Sequence, residues 1–367
     1  MALNGPPPVV QTTAPTAAHG PELEAAIEAD PFDVHAYLVY ADWLQAKGDP
    51  RGELIALMCA AESSPSASAA ANALLVAHQA RFYGPLGAHL RTHDYAHAEA
   101  LRFRYGFLHR AQLSNNKHSA DGYKERDLVE ILELVLAHPS GRFLVDLALG
   151  INNENMATLD DVIALLAERK PAALRRLELG LFTGGPSWFR IGDLRALWKA
   201  LPRLSTLIVN GDSFELGAIH LPEAQRVELH TGDLTVGNAD AVARASWPKL
   251  EHLDLWLGTR TPAVFTKLQP LLERTDLPAL RRLAIQNTAI TDEICTRLVS
   301  SGLVGQLREL DLSIGTMTDA GARTLASQRS HLQLDLLDVS RNRLTPVGIQ
   351  ALDGLATTVI AQRMTRV

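Results

Sequence analysis

The sequence predicts an α/β solenoid, parallel strands inside and helices outside, preceded by a small all-α domain. Three observations predict it. Apolar triplets of the form LxxLxL return at near-constant intervals through residues 141–367, which marks a repeat architecture. Between several triplets a threonine precedes Asp or Pro, the signature of a helix start. Ahead of them, residues 21–100 space their apolar side chains by three and four, as amphipathic helices do.

Residues 1–20, MALNGPPPVVQTTAPTAAHG, are rich in Pro, Thr and Ala and read as a disordered tail. They carry neither the basic start nor the apolar core of a signal peptide. Pro21 opens a first helix, Glu22 and Glu24 suit its positive end, and Asp30 and Pro31 stop it. A second helix is expected from about Asp33 to Lys47, with Val34, Tyr37, Leu38, Ala41 and Leu44 on one face and Gly48 ending it. Pro50 opens a third, carrying Leu54, Ile55, Leu57 and Met58. Residues 62–71, ESSPSASAAA, read as a loop or mobile link into another alanine-rich helix that ends near Tyr83.

Within this region YADWL, Tyr40–Leu44, stands a short spacer ahead of GDPRGE, Gly48–Glu53. The pair resembles the signature of a bacterial module known as the repeat-companion domain. RFYGPLGAHL and RFRYGFLHRAQL are similar to the sequence that follows it, so the resemblance covers about residues 21–113. It implies an architecture, a helical module in front of leucine-rich repeats, and no reaction. From the residues themselves the motif reads as structural: Tyr40 and Trp43 supply buried area, Gly48 ends a helix and Asp49 caps the next. Asp42, Arg51 and Glu53 are expected to form an ion-pair cluster between the helices; a small ligand or peptide site using those charges is the alternative.

Residues 101–140 read as an N-terminal cap of the solenoid, with Leu113 placed to begin the strand series. The third apolar positions of the eight triplets are Leu149, Leu179, Val209, Leu229, Leu255, Ile285, Leu312 and Val339, separated by 30, 30, 20, 26, 30, 27 and 27 residues. Leu334, Leu337, Val339, Asn342 and Leu344 match the leucine-rich-repeat consensus. The longer intervals resemble the ribonuclease-inhibitor class, with a full helix outside each strand. The interval of 20 leaves no room for one, so the helical layer is expected to break between Asn210 and Leu229. Thr291, Thr318 and Thr345 are expected as helix caps, and Asn342 as a donor to turning backbone.

Thirty-five basic and 41 acidic residues leave a net charge of −6. The excess lies in residues 1–140, which hold 10 Lys/Arg against 16 Asp/Glu; the remainder balances at 25 each. That balance argues against a nucleic-acid partner. Cys59 and Cys295 are the only cysteines, too few to staple a domain, and no apolar run reaches membrane-spanning length; a cytoplasmic protein with reduced thiols follows as the expectation. GxSxG, GxGxxG and P-loop patterns are absent, so no enzyme activity and no cofactor is expected. His89, His93 and His97 lie four apart beside Asp94, a spacing that would let a helix present two imidazoles to a metal, and a metal-dependent hydrolase is the enzymatic alternative. Gly87 upstream and the lack of HExxH weigh against it.

Side chains flanking the inward leucines are expected to align in columns across the concave face. One column reads Ala148, Glu178, Ile208, Glu228, Asp254, Ala284, Asp311, Asp338 and is mostly acidic. The other reads Asp146, Arg176, Thr206, Arg226, His252, Arg282, Glu309, Leu336 and is basic through the middle. Trp256 is expected to face the concavity near His230, His252, Asp254 and Gln286; an exposed tryptophan beside Arg is the composition of a binding hot spot, and burial of the ring against a neighbouring loop is the competing account. The functional reading is a non-catalytic scaffold that binds a protein partner on these residues. Intramolecular ion pairs on a solvated sheet are the competing account, and a regulator whose acidic N-terminal domain contacts an effector is the alternative within binding proteins.

Overall fold

The computed structural model describes residues 20–86, 101–114, 116–119, 122–125, 128–150, 158–180, 190–258 and 261–362. His89, His93 and His97 and the N-terminal tail lie outside the described residues.

Each apolar triplet forms a short strand because leucines two apart point to one side of an extended chain. The strands are β1 (Leu101–Arg104), β2 (Phe107–Ser114), β5 (Asp146–Gly150), β6 (Arg176–Leu179), β8 (Thr206–Asn210), β10 (Arg226–His230), β11 (His252–Gly258), β12 (Arg282–Thr288), β13 (Glu309–Asp311), β14 (Leu334–Asp338) and β15 (Ala356–Ile360). Among the described residues they form one 11-stranded sheet in that order. Only β1 runs antiparallel to its neighbour. Register places Leu147, Leu177, Leu207, Val227, Leu253, Leu283, Leu310 and Leu337 in one continuous stack. Each is at most 1% exposed, and burying such a side chain contributes about 1.5–3 kcal/mol. Leu113 pairs with Leu149, so β2 does begin the parallel series. The final strand β15 lacks an LxxLxL signature.

Helices cover the outer side: α6 (Leu128–Ala137), α7 (Asp160–Arg169), α8 (Arg195–Ala200), α9 (Val236–Arg244), α10 (Thr261–Leu272), α11 (Thr291–Leu298), α12 (Asp319–Ala326) and α13 (Pro346–Ala351). No helix lies between β8 and β10, as the 20-residue interval requires. In its place β9 (Asp212–Glu215) pairs in parallel with β7 (Arg190–Asp193). Buried Asn238 of α9 ties β9 down, accepting from the Leu216 N–H at 3.0 Å and donating to the Phe214 carbonyl at 2.8 Å. A further hairpin joins β3 (Asn116–Ser119) and β4 (Gly122–Glu125).

Asn342 donates to the Leu312 and Val339 carbonyls, at 2.8 and 3.0 Å, as its place in the repeat requires. Thr318 and Thr345 cap their helices. Thr291 does not: its buried hydroxyl accepts from the Thr316 N–H of the next repeat at 3.0 Å, leaving Ile290 in the cap position without a side-chain bond.

Among the described residues five helices precede the sheet: α1 (Gly20–Ala29), α2 (Val34–Ala46), α3 (Pro50–Ala60), α4 (Pro65–Ala77) and α5 (Gln79–Tyr83). Asp33 and Asp49 cap α2 and α3. The expected loop over residues 62–71 shrinks to a short turn, because Ser64 caps α4 and Pro65 opens it. A Cβ on Gly52 would stand 2.4 Å from the Ala41 carbonyl, so only glycine lets α3 cross α2 this closely. Tyr105 and Gly106, at φ 50° and 76°, make the turn between β1 and β2. That turn packs into the helices: Ile27, Tyr37, Tyr40, Ala41, Leu44 and Ile55 share one core with Tyr105, Phe107, Phe143 and Ala173. Arg175 and Arg203 of the solenoid donate to the Glu28 carbonyl at 2.8 Å each, and Arg175 also to that of Ala29 at 2.9 Å. Those carbonyls end α1, where a helix needs acceptors satisfied.

The expected cluster of Asp42, Arg51 and Glu53 is not formed. Asp42 and Glu53 are exposed, whereas Arg51 is buried and turns away to the Gly106 carbonyl and the Ser140 hydroxyl.

Candidate binding face

The two expected columns exist as aligned rows. Arg176, Thr206, Arg226, His252, Arg282, Glu309 and Leu336 are successive neighbours, as are Glu178, Ile208, Glu228, Asp254, Ala284, Asp311 and Asp338. Beside them His230 pairs in register with Asn210, and Trp256 with Gln286.

The rows engage one another in three groups. At the N-terminal end Arg176 reaches Asp146 at 3.1 Å across the strands and Glu178 at 2.6 Å along its own strand. Arg110, on β2, adds a 3.6 Å contact to Asp146. In the middle Arg226 pairs with Glu228, and the His230 ring lies 5.1 Å from the Trp256 ring. His230 Nδ1 meets Asn210 Oδ1 at 2.9 Å, while its Nε2 stands 3.5 Å from Asp254 Oδ1 and 3.8 Å from Glu228. Among the described residues neither His230 Nε2 nor Asp254 Oδ1, both buried atoms, has a hydrogen bond. Toward the C-terminus Arg282 bridges Glu309 at 2.7 Å and Asp311 at 3.5 Å.

Two residues expected to face solvent are buried. The Gln286 amide donates to the Asp311 carboxylate, and both residues are 7% exposed. Burial raises the Asp311 carboxyl above its ordinary value; the neighbouring Asp338 and Asp254 push the same way, and the Ser313 N–H opposes them. Trp256, His252, Asp254 and Asp338 remain half-buried, and Arg226 is exposed. His252 joins none of these ion pairs among the described residues. Asp338 accepts from the Ser340 N–H at 2.8 Å.

Charge is therefore unevenly compensated. Arg110, Arg176 and Arg226 answer Asp146, Glu178 and Glu228. On β11–β14 the two rows set Asp254, Glu309, Asp311 and Asp338 against Arg282 alone. The face carries its surplus of carboxylate on that half, beside Trp256.

The architecture is of the leucine-rich-repeat type: a parallel sheet on the inner side, helices on the outer side and a leucine ladder between them. No family model matches the chain, and no curated protein matches it. Among solved structures it is similar to a protein from Bacteroides fragilis, at 22% identity and a TM-score of 0.57, over 64% of this chain and 70% of that one. That likeness shows the fold alone. A TLR13–ssRNA13 complex aligns at 18% identity and a TM-score of 0.36, over 65% of this chain and 31% of that one. An internalin from Listeria monocytogenes aligns at 13% and 0.24, over 70% and 87%.

Proposed function

We propose that the chain is a non-catalytic scaffold that binds a protein partner on the concave sheet face, acting in the cytoplasm without a cofactor. The observation that carries this reading is the half-buried Trp256 beside a carboxylate row supplied by successive strands in fixed register. An indole beside a row with more carboxylates than cations suits a basic, partly apolar protein surface. Residues 21–113 are, on this reading, a repeat-companion module that ends the solenoid. Among the described residues no helix is long and apolar enough to cross a membrane.

The test is capture of a crosslinked partner from the source cell, with contacts mapped by mass spectrometry. Trp256→Ala combined with Asp338→Asn should weaken capture at least tenfold with an unchanged melting temperature. Crosslinks that avoid β10–β14, or capture that survives the double variant, would move the site elsewhere. A regulatory reading, in which the N-terminal helices contact an effector, is favoured by Phe32, Leu38 and Val39, which are 53%, 39% and 38% exposed.

A further inference from the structure

A cavity of about 500 Å³ opens between the N-terminal helices and the turns that lead into β5 and β6. That volume lies within the range of small-molecule sites, roughly 300–1,000 Å³. A second space of about 290 Å³ shares Lys170 and Pro171 with it. Arg51 lines the larger cavity and is only 5% exposed. Its guanidinium carbon lies over the Phe82 and Phe107 rings, 5.2 and 4.7 Å from their centroids.

A buried cation is normally offset by an anion, since leaving it alone costs several kcal/mol, on the order of a fully broken ion pair. Arg51 has only neutral acceptors, the Gly106 carbonyl and the Ser140 hydroxyl, the latter at 3.0 Å. The carboxylates around it are committed elsewhere. Asp49 pairs with Arg81 at 2.8 Å. Glu24 and Glu28, which also line the cavity, are met by Arg142 at 2.7 and 3.9 Å. Burial pushes the Arg51 guanidinium down to about 10, against the pull of the neighbouring Asp49 carboxylate, which acts the other way. A guanidinium has five N–H donors, and the two acceptors leave three unengaged among the described residues. Exposed Lys170 lines the same cavity and forms no ion pair among the described residues.

We propose that this cavity binds a small organic anion whose carboxylate or phosphate oxygens are held by Arg51, with Lys170 as the second cation and Tyr40 and Phe107 as the apolar wall. The proposal is independent of what the concave face binds.

The test is calorimetric titration of the full chain with inorganic phosphate and with acetate at constant ionic strength, followed by hydrogen exchange with the anion that binds. Saturable one-site binding of either anion is expected, with slowed exchange in peptides covering residues 49–53 and 138–142. Arg51→Gln should abolish the binding. Lys170→Asn, which suits the left-handed backbone there at φ 48°, should weaken it about tenfold by removing one charge contact, of order 1.4 kcal/mol. Absence of saturable binding by both anions, or protection confined to other peptides, overturns the proposal. So does binding that survives Arg51→Gln in a folded variant. Should Arg51→Gln fail to fold, Lys170→Asn and the wild-type exchange pattern decide.

Discussion

Arg282 shows how a single side chain on the strand face can hold the sheet together. It faces Glu309 and the nearly buried Asp311 from the adjacent strand, and Asp311 also accepts from Gln286. Arg282→Ala would strand the Asp311 carboxylate without its cation, a loss of about 2 kcal/mol for a partly buried pair. Urea denaturation reads it as a lower midpoint at unchanged slope, and Arg282→Lys should recover part of the loss. A midpoint equal to wild type would mean that solvent already compensates Asp311. The column positions of Arg282, Glu309 and Asp311 were legible, because LxxLxL fixes which residues share a side of the strand. Their bonding was not, since Arg176 takes one carboxylate across the strands and another along its own. Arg51 shows the stronger limit: its acceptor Gly106 lies 55 residues away, beyond anything the GDPRGE motif displays.

Successive helices are joined at their starts by a repeating device. Asp292 accepts from Thr318 through the backbone N–H at 2.9 Å and the hydroxyl at 2.6 Å, and Asp319 accepts from Thr345 at the same two distances. These bonds hold the Asp319 carboxyl below its ordinary value. Glycine in the following helix makes room for each carboxylate: a Cβ on Gly321 would stand 2.3 Å from Asp292 Oδ1, and one on Gly348 2.1 Å from Asp319 Oδ1. Gly348→Ala therefore should destabilise by about 1–3 kcal/mol through overpacking, against the gain of up to about 1 kcal/mol that alanine offers in a helix. Thermal unfolding of Gly348→Ala beside Asp319→Ala and the double variant checks it. The glycine substitution should cost less once Asp319 is gone, and equal costs in both backgrounds would remove the steric account. The Thr-Asp and Thr-Pro pairs announced these helices, yet Thr291 spends its hydroxyl on the next repeat because its side chain is wholly buried. Composition misled in the other direction at residues 62–71, where Ser64 and Pro65 are a cap and a first turn and the alanines behind them propagate the helix.

At the scale of the molecule, a solenoid repeat has neighbours on two sides, so the first repeat needs a substitute for the missing one. Here the helices supply it. Tyr105, Phe107 and Phe143, at 2%, 3% and 1% exposure, belong to the sheet side of the chain but lie in the same core as Ile27, Tyr37 and Tyr40. Tyr37 and Tyr105 ring centroids are 4.9 Å apart, and those of Phe107 and Phe143 4.6 Å. A chain beginning at Leu101 would bare these aromatics, each able to bury some 150–250 Å². At about 25 cal/mol per Å² the loss for the three comes to roughly 11–19 kcal/mol as an upper figure, as large as the whole stability of a domain. The truncated chain should bind a hydrophobic dye, melt at least 10 °C lower with a broadened transition, and lose structure from its N-terminal end first. Hydrogen exchange resolves that order: β5 and β6 should exchange well before β12–β14, whereas in the full chain both sets should be protected alike. Equal protection of both ends in the truncated chain would mean that the leucine ladder sustains itself, and that the helical module is a passenger on the solenoid.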